Sequence, residues 1–460
     1  MKTKIIALLG GICFATLFYD QRFGLNCLLY SIFLILLLYK RLPKMQVKST
    51  YILSAVGMLA TATAMTFHGS NMTICFYIFS SLLFIGFAAQ SQVSSYVAFF
   101  NGVYTTLFGR FHYLLYGLAK PKDEKSNTYN FQQIARLVFI PLALVLIFIV
   151  LYYQINPVFN EWLGKIDLSF IDFIWMIMVV VGSWITANIS ASKTVEEITT
   201  KDLSTSNELT VPQAASINKI KTKNEMQTGV YSMIALNILL VVLLASELVY
   251  IFQINDFRAS VLSAALHSGV YASIGSIVLA IILIVVFFRG DINFIEGNSK
   301  LKKLAFSWIF LNFFLTLSVA VKTFIYIDQH GLSIKRLGVL MYLTFCVIGL
   351  ITTFLKIDRR FNLTYLFRRN VTIGFSCLLV FSLINWSAII SSYNIKNDYV
   401  DMRQLSELLP QNAPVLKEAG MLDEVIKFQN KNYMKDVDLE FFAQRNWQEF
   451  NLIAKKLGDK

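Results

Sequence analysis

The sequence predicts an all-α, polytopic membrane protein, with a bundle of about eleven transmembrane helices and a small helical tail after the last helix. Two observations support this fold class. Of the 460 residues, 56% are hydrophobic and only 15% are charged, whereas a soluble domain carries about 25% charged residues. Apolar runs of about 18 or more residues, the length of a helix that crosses a bilayer, recur along the chain.

Each predicted span is an apolar run bounded by polar residues, and hydropathy places its ends only to within a few residues. The first span is short, so it requires local thinning of the bilayer or polar flanks that reach the surface. In chain order the predicted spans are Ile5–Tyr19, Gly24–Lys40, Thr50–Phe67, Met72–Ala89, Leu137–Gln154, Leu168–Asn188, Val230–Phe252, Ser263–Phe288, Lys303–Ile325, Leu337–Leu355 and Val371–Ser391.

Three segments do not fit the pattern of a span. Residues 95–118 are apolar and aromatic but contain Arg110 and His112, which is typical of a helix lying at the membrane surface. The alternative is that this segment spans the membrane, which would invert the orientation of every later segment. Residues 189–229 are rich in Ser, Thr, Asn and Lys, which predicts a partly disordered cytoplasmic linker. This linker divides the membrane region into an N-terminal half, residues 1–188, and a C-terminal half, residues 230–391.

The third segment is the tail, residues 392–460. Apolar residues at helical spacing predict three short amphipathic helices, with Pro410 and Pro414 separating the first two. A segment of this length without disulfides has a marginal core of its own. We therefore expect the tail to pack on the membrane helices or on a protein partner.

The distribution of Lys and Arg predicts the orientation. With the N-terminus in the cytoplasm, most basic residues before the tail fall in cytoplasmic links, as in bacterial inner-membrane proteins. An odd number of spans then places the tail outside the cytoplasm. The net charge of +13 is explained by these orientation signals, so we expect the lipid bilayer and no nucleic acid as a partner.

The costliest polar residues lie in the later spans. An ionisable group at the centre of a membrane helix costs roughly 2.5–3.5 kcal/mol on insertion scales, so it usually faces protein or water. Near the predicted outer ends lie Glu247, His267 and Lys322, level with the polar turn of the hairpin between residues 303 and 356. This pattern predicts an outward-facing polar pocket, roofed by the tail, with these residues: Glu247, His267, Lys322, Asp328, His330, Lys335 and Arg336.

Within this pocket we expect Glu247 to pair with Lys322 or His267. The alternative is that Lys322 extends to the lipid headgroups and that His267 is an ordinary interfacial histidine. A separate basic patch follows the tenth span. Anionic headgroups attract such cations by about 1 kcal/mol each, so the sequence predicts a lipid and topology anchor at the cytoplasmic face, formed by Arg359, Arg360, Arg368 and Arg369.

Signatures of common soluble enzymes are missing from the sequence. It contains no GxSxG, no GxxxxGK[ST] and no HExxH motif, and its five Cys show no metal-binding spacing. We therefore expect no cofactor, no metal and no assigned catalytic residue, although a membrane enzyme can have scattered site residues.

Three stretches resemble a family of bacterial multi-span proteins, the domain of unknown function 4173 group and its 4153 relatives. The first comprises Leu266–Val270 (LHSGV) and Ser276–Ala280 (SIVLA), and the second is Tyr326–Val339 (YIDQHGLSIKRLGV). The third runs from Ile389–Ile395 (IISSYNI) to Ala413–Leu416 (APVL). The resemblance covers about residues 230–416 and implies an integral membrane protein of unassigned activity.

The second stretch departs from the family pattern at Ser333, where Thr is usual. Its local structure has a physical rationale. Gly331 can take a positive φ and end one helix, and Ser333 can cap the next. Lys335 and Arg336 then stand at the outer surface of the membrane.

Three functions remain open at this stage. The first is a non-enzymatic envelope or signalling accessory, in which the tail and the outer pocket bind something outside. The second is a proton-linked secondary transporter, in which Glu247 and His267 relay protons. Transporters usually contain broken helices near the midplane, and only Pro141 lies inside a predicted span. The third is a membrane transferase for a lipid-linked substrate that uses Asp328, His330 and Arg336.

Overall fold

The computed structural model describes residues 2–39, 49–112, 172–209, 219–252, 281–288, 290–294, 297–433 and 439–458, and a few isolated positions between 141 and 156 and between 275 and 279. Regular structure in these residues is helical, apart from one isolated β-bridge between Glu208 and Phe361. The predicted all-α class is therefore confirmed for the described part of the chain.

The α-helices are numbered here in chain order. They are α1 (Lys2–Phe18), α2 (Leu25–Tyr39), α3 (Ser49–Phe67), α4 (Asn71–Ala89), α5 (Ser95–Phe108), α6 (Phe173–Ala191), α7 (Glu196–Ser204), α8 (Lys219–Phe252), α9 (Ser299–His330), α10 (Ile334–Asp358), α11 (Leu363–Ser382), α12 (Trp386–Lys396), α13 (Met402–Glu407), α14 (Ala413–Glu418), α15 (Leu422–Tyr433), α16 (Leu439–Ala443) and α17 (Leu452–Gly458).

Six described segments are long and apolar enough to cross a membrane, and α11 with α12 passes the same test as one span bent by 59°. The helices α1 and α2 are apolar but shorter. Two predicted spans, Leu137–Gln154 and Ser263–Phe288, lie in large part outside the described residues. The count of eleven is therefore not confirmed. The six segments are Ser49–Phe67, Asn71–Ala89, Phe173–Ser204, Ile220–Phe252, Ser299–His330 and Ile334–Asp358.

Several predicted boundaries differ from the structure. For example, α8 begins at Lys219, inside the predicted linker, and not at Val230. The last predicted span is Val371–Ser391, but α11 begins at Leu363, because Asn362 caps it by accepting from the Tyr365 N–H at 2.9 Å. Because of this early start, Arg368 and Arg369 lie inside the helix, which ends at Ser382. In the linker predicted at residues 189–229, α7 is folded. The tail contains five short α-helices among its described residues instead of three, because turns at 408–412 and 419–421 divide it further.

The helix contacts divide the chain into two compact units. Unit 1 comprises residues 1–20 and 104–193, and unit 2 comprises residues 21–103 and 194–460. This grouping differs from the predicted halves, because α4 and α5 pack with a C-terminal helix. The rings of Phe76 and Phe375 lie 5.8 Å apart, and the hydroxyls of Ser95 and Thr372 lie 2.8 Å apart.

Unit 1 is built on the contact between α1 and α6. A Cβ added to Gly11 would lie 2.0 Å from Ser183 Oγ, and one added to Gly10 would lie 2.4 Å from Thr186 Oγ1. These glycines therefore let the two helices approach closely, as small residues do in membrane helix pairs. Asn188 of α6 accepts from the Arg110 N–H at 2.9 Å and donates to Leu107 O at 3.2 Å.

Unit 2 contains the remaining candidate spans and the tail. An apolar core lies among α8, α9 and α10 and includes the fully buried side chains of Met233, Leu301 and Ile357. The helix α10 has 25 residues, so its ends are about 37 Å apart. Its first residue lies beside the tail and its last beside the segment after α7. These two ends of unit 2 are called the tail end and the linker end below.

Candidate polar site at the tail end of unit 2

An ion pair joins α8 and α9 in the last third of both helices. The Nζ of Lys322 lies 2.6 Å from Glu247 Oε2, with 9% of the lysine side chain and 20% of the glutamate side chain exposed. Ser318 Oγ lies 3.5 Å from the same carboxylate oxygen, and the ring of Tyr250 lies 5.3 Å from the Lys322 ammonium. The two costly charges therefore neutralise each other where the helices meet.

Aromatic and basic groups continue this polar face toward the end of α9. Tyr326 follows Lys322 by one helical turn, and His330 follows by a second, so the three side chains share one stripe. The rings of Tyr326 and His330 lie 4.6 Å apart. From α10, the Arg336 guanidinium covers the Tyr326 ring at 4.4 Å and donates to His330 O at 2.8 Å and to Gly331 O.

The turn between α9 and α10 has the predicted local structure. Gly331 has φ +79°, and its N–H donates to Ile327 O at 2.8 Å, which closes α9. Ser333 Oγ accepts from the Arg336 N–H at 3.3 Å as the cap of α10. Both predictions are confirmed. A Cβ at residue 331 would lie 2.7 Å from Asn394 Oδ1 and 2.8 Å from Tyr399 Cβ, so the turn needs glycine for space as well as for φ.

A side-chain amide from α12 holds this turn. Asn394 Oδ1 accepts from the Leu332 N–H at 2.7 Å, and its Nδ2 donates to Leu332 O at 2.9 Å. Gln404 of α13 donates to the same carbonyl at 2.7 Å. Asn394 is buried, with 2% of its surface exposed. Both backbone polar groups of Leu332 are thus satisfied by the segment that follows the last span.

The end of the tail is held on two other turns of unit 2. The Arg22 N–H and Nε donate to the two carboxylate oxygens of Glu449 at 2.9 and 3.0 Å, and Glu449 is only 4% exposed. Asn451 Nδ2 donates to Met65 O, at the end of α3, at 2.9 Å. The backbone at Gly24 abuts Glu449, with 2.4 Å between a built Cβ and the Glu449 carbonyl oxygen. The end of the tail is therefore hydrogen-bonded to the rest of unit 2 at two places.

His68 stabilises the break between α11 and α12. Its Nε2 donates to Leu383 O at 3.1 Å, while Thr73 Oγ1 donates to Ser382 O at 2.9 Å. Burial lowers the pKa of the His68 imidazole, although the hydrogen bond to Leu383 acts in the opposite direction. The neutral ring is therefore favoured at this turn.

The predicted pocket residues are only partly brought together. Glu247 and Lys322 are in contact, and His330 and Arg336 are in contact through the His330 carbonyl. The side chains of Asp328 and Lys335 are exposed. Tyr399 O–H donates to the backbone carbonyl of Asp328. His267 lies outside the described residues. Whether these residues act as one functional pocket stays a prediction.

Sequence reasoning missed one polar cluster of the described residues, which lies at the linker end. Asp202 of α7 accepts from Ser94 N at 2.8 Å, Ser94 Oγ at 2.9 Å and Tyr96 O–H at 3.0 Å. The Nη2 of Arg368 lies 2.9 Å from Asp202 Oδ1, and its Nη1 donates to Asn207 Oδ1 at 2.8 Å. Arg368, predicted as a lipid anchor, is therefore engaged with protein. Arg359, Arg360 and Arg369 are exposed.

The fold and this site define a class: an all-helical protein with several helices apolar enough to span a membrane and a folded tail on their ends. The chain belongs to the family named Domain of unknown function (DUF4153), which matches residues 7–419. This match extends beyond the C-terminal half in which the resemblance was found, and membership of the 4173 group is not shown. No curated protein and no solved structure matches the chain.

Proposed function

We propose that this protein is a non-enzymatic accessory of the bacterial cell envelope, which binds a partner or ligand outside the cytoplasm and passes that event to its membrane helices. The observation that carries the proposal is the pair of hydrogen bonds from the Asn394 side chain to the N–H and carbonyl of Leu332, at 2.7 and 2.9 Å. Through this contact the segment after the last span is hydrogen-bonded to the turn between two long helices.

The contact can transmit a change because both sides are stiff. Ser333 and Gly331 fix the ends of α10 and α9 at the turn, and α9 carries Lys322 two turns before its end. A displacement of the tail therefore shifts a helix end and the ion pair beyond it. Coupling between two sites requires one element whose conformation both sites can shift. In the proposal the two sites are the tail and the Glu247–Lys322 ion pair, and the element is the α9–α10 turn.

The proposed topology places the N-terminus in the cytoplasm and the tail outside the inner membrane, with eleven spans. Its support is the concentration of Lys and Arg in the links at the linker end. Contacts within unit 2 are consistent with this arrangement. The tail meets the turns at residues 20–24, 68–70 and 331–333, all predicted outside, and α7 meets turns predicted inside.

Hydrogen–deuterium exchange of the full chain in lipid nanodiscs tests the coupling. In Asn394→Ala we expect faster exchange at residues 331–337 and also in the last two turns of α9, because the Leu332 N–H loses its acceptor and the Leu332 carbonyl keeps only the bond from Gln404. The matched control is Glu449→Ala, which removes a different tail contact and should affect residues 22–27 and 444–452 only. Exchange in α9 that stays at the wild-type rate in Asn394→Ala would contradict the proposal.

The second candidate is a proton-linked transporter, and the Glu247–Lys322 ion pair is the observation that favours it. In transporters, carboxylates within membrane helices pair with other ionisable residues and take up and release protons. In proteoliposomes with an imposed pH gradient, the accessory proposal predicts no proton flux above that of protein-free vesicles. A flux that is lost in Glu247→Gln but kept in Glu225→Gln, on the same helix, would replace the accessory by the transporter.

A further inference from the structure

An apolar groove runs between α9 and α10 on the side of the linker end. Its volume is about 520 Å³, and Ser307 is the one polar residue in its lining. The aromatic rings of Phe306 and Phe354 meet at 4.6 Å in the groove. The lining residues are Phe306, Ser307, Ile309, Phe310, Phe313, Val347, Leu350, Ile351 and Phe354, and this set is called the α9–α10 groove below.

The groove is short enough to lie within one leaflet. From Phe306 to Phe313, and likewise from Val347 to Phe354, the lining covers about 10 Å of helix. The hydrocarbon of one leaflet is about 15 Å deep. The groove begins two turns into α9 and ends one turn before Asp358. It therefore lies at hydrocarbon depth when α9 and α10 span the membrane.

Two lysines stand at the mouth of this groove. Lys302 and Lys303 lie one turn before Phe306 and Ser307 on α9, so their side chains are on the same helical stripe as the lining. Lys303 is exposed and Lys302 is half-buried. Neither forms an ion pair with any other described residue. At the end of α10 the exposed residues Asp358 and Arg359 carry opposite charges and together add no net charge.

We propose that the α9–α10 groove is a binding site for one anionic phospholipid. One acyl chain lies along the phenylalanines, and the phosphate is held by Lys302 and Lys303. An apolar groove at this depth does not hold water, so bilayer hydrocarbon is its natural occupant. The positive charge at the mouth selects the headgroup, because each cation near the surface attracts anionic lipid by about fivefold in affinity.

This site differs from the basic patch after α10 in both residues and chemistry. Arg368 of that patch is engaged with Asp202, and the Arg360 guanidinium covers the Phe294 ring at 5.4 Å. Lys302 and Lys303, in contrast, lie one helical turn from the first lining residues of the α9–α10 groove. The groove therefore recognises a headgroup and a chain together, whereas the patch can attract a headgroup only.

Native mass spectrometry of the purified full chain, titrated with phosphatidylglycerol or phosphatidylcholine, tests the site. We expect wild type to bind phosphatidylglycerol more tightly. In Lys302→Gln/Lys303→Gln the affinity for phosphatidylglycerol should fall by at least tenfold, and that for phosphatidylcholine should stay within twofold. Ser307→Phe, which fills the groove, should weaken the binding of both lipids.

Matched controls are Lys223→Gln, an exposed lysine of α8, and Leu317→Phe, an exposed position of α9 outside the groove. Both should bind within twofold of wild type. Equal affinity of wild type for the two lipids would overturn the proposal without any variant being needed. So would groove variants that bind phosphatidylglycerol as well as their controls while eluting as the same monodisperse species as wild type.

Discussion

Asp202→Ala is expected to lower the free energy of unfolding by about 3–5 kcal/mol, because it removes one partner of a buried ion pair. The Asp202 side chain is 4% exposed and accepts from Ser94, Tyr96 and Arg368. Alanine removes the acceptor of the Ser94 and Tyr96 donors. It also leaves the Arg368 guanidinium, 17% exposed, without its counter-charge, although Arg368 keeps its hydrogen bond to Asn207. The measurement is equilibrium unfolding in mixed detergent and SDS micelles.

The control for this variant is Glu197→Ala, an exposed carboxylate on the same helix, which should change the free energy of unfolding by less than about 0.5 kcal/mol. The double variant Asp202→Ala/Arg368→Ala should be less destabilised than the sum of the single variants, since it leaves no lone charge. Additive single effects would show that Asp202 and Arg368 act independently, contrary to the geometry.

Lys322→Gln is expected to lower the free energy of unfolding by about 2–3 kcal/mol, because a lone carboxylate then remains in a membrane helix contact. Glu247→Gln should have a similar effect through the lone ammonium. Glu247→Gln/Lys322→Gln, which carries neither charge, should recover more than half of the loss. The same unfolding assay measures all three variants.

Ser318→Ala serves as the control for the ion pair, because its hydroxyl lies 3.5 Å from the Glu247 carboxylate, a distance at the limit of a hydrogen bond. We expect an effect of less than about 1 kcal/mol for it. A double variant that is no more stable than either single one would mean that the 2.6 Å contact does not neutralise the two charges.

Local features of the sequence predicted the structure where the physics is local. Apolar length predicted the candidate spans, and the short polar turn at Gly331 and Ser333 has the predicted φ and cap. The ends of α11 were predicted poorly, because hydropathy alone was used to place them. Hydropathy predicts a loop where polar residues cluster, as they do at Asn362, Arg368 and Arg369. In the structure, however, Asn362 caps a helix, and Arg368 forms an ion pair with Asp202 inside the protein.

Contacts between distant parts of the chain could not be predicted in this way. Arg22 and Glu449 are 427 positions apart, and Asp202 and Arg368 are 166 apart. A single sequence contains no signal that pairs one such charge with one partner among many. The Glu247–Lys322 contact could be predicted, because a charged side chain in a membrane helix has an unfavourable insertion free energy and therefore usually pairs with another. Few such residues lie in the predicted spans, so few partners had to be considered.

Sided labelling of single cysteines tests the proposed arrangement of the chain most directly. In a background without the five native cysteines, Lys455→Cys of α17 and Lys201→Cys of α7 both place a thiol at an exposed position. A membrane-impermeant maleimide is applied to intact spheroplasts and then to lysed ones. We expect Lys455→Cys to react before lysis and Lys201→Cys only after it. Labelling of both positions before lysis, of neither, or of Lys201→Cys alone would contradict a tail that sits outside on the far ends of the membrane helices.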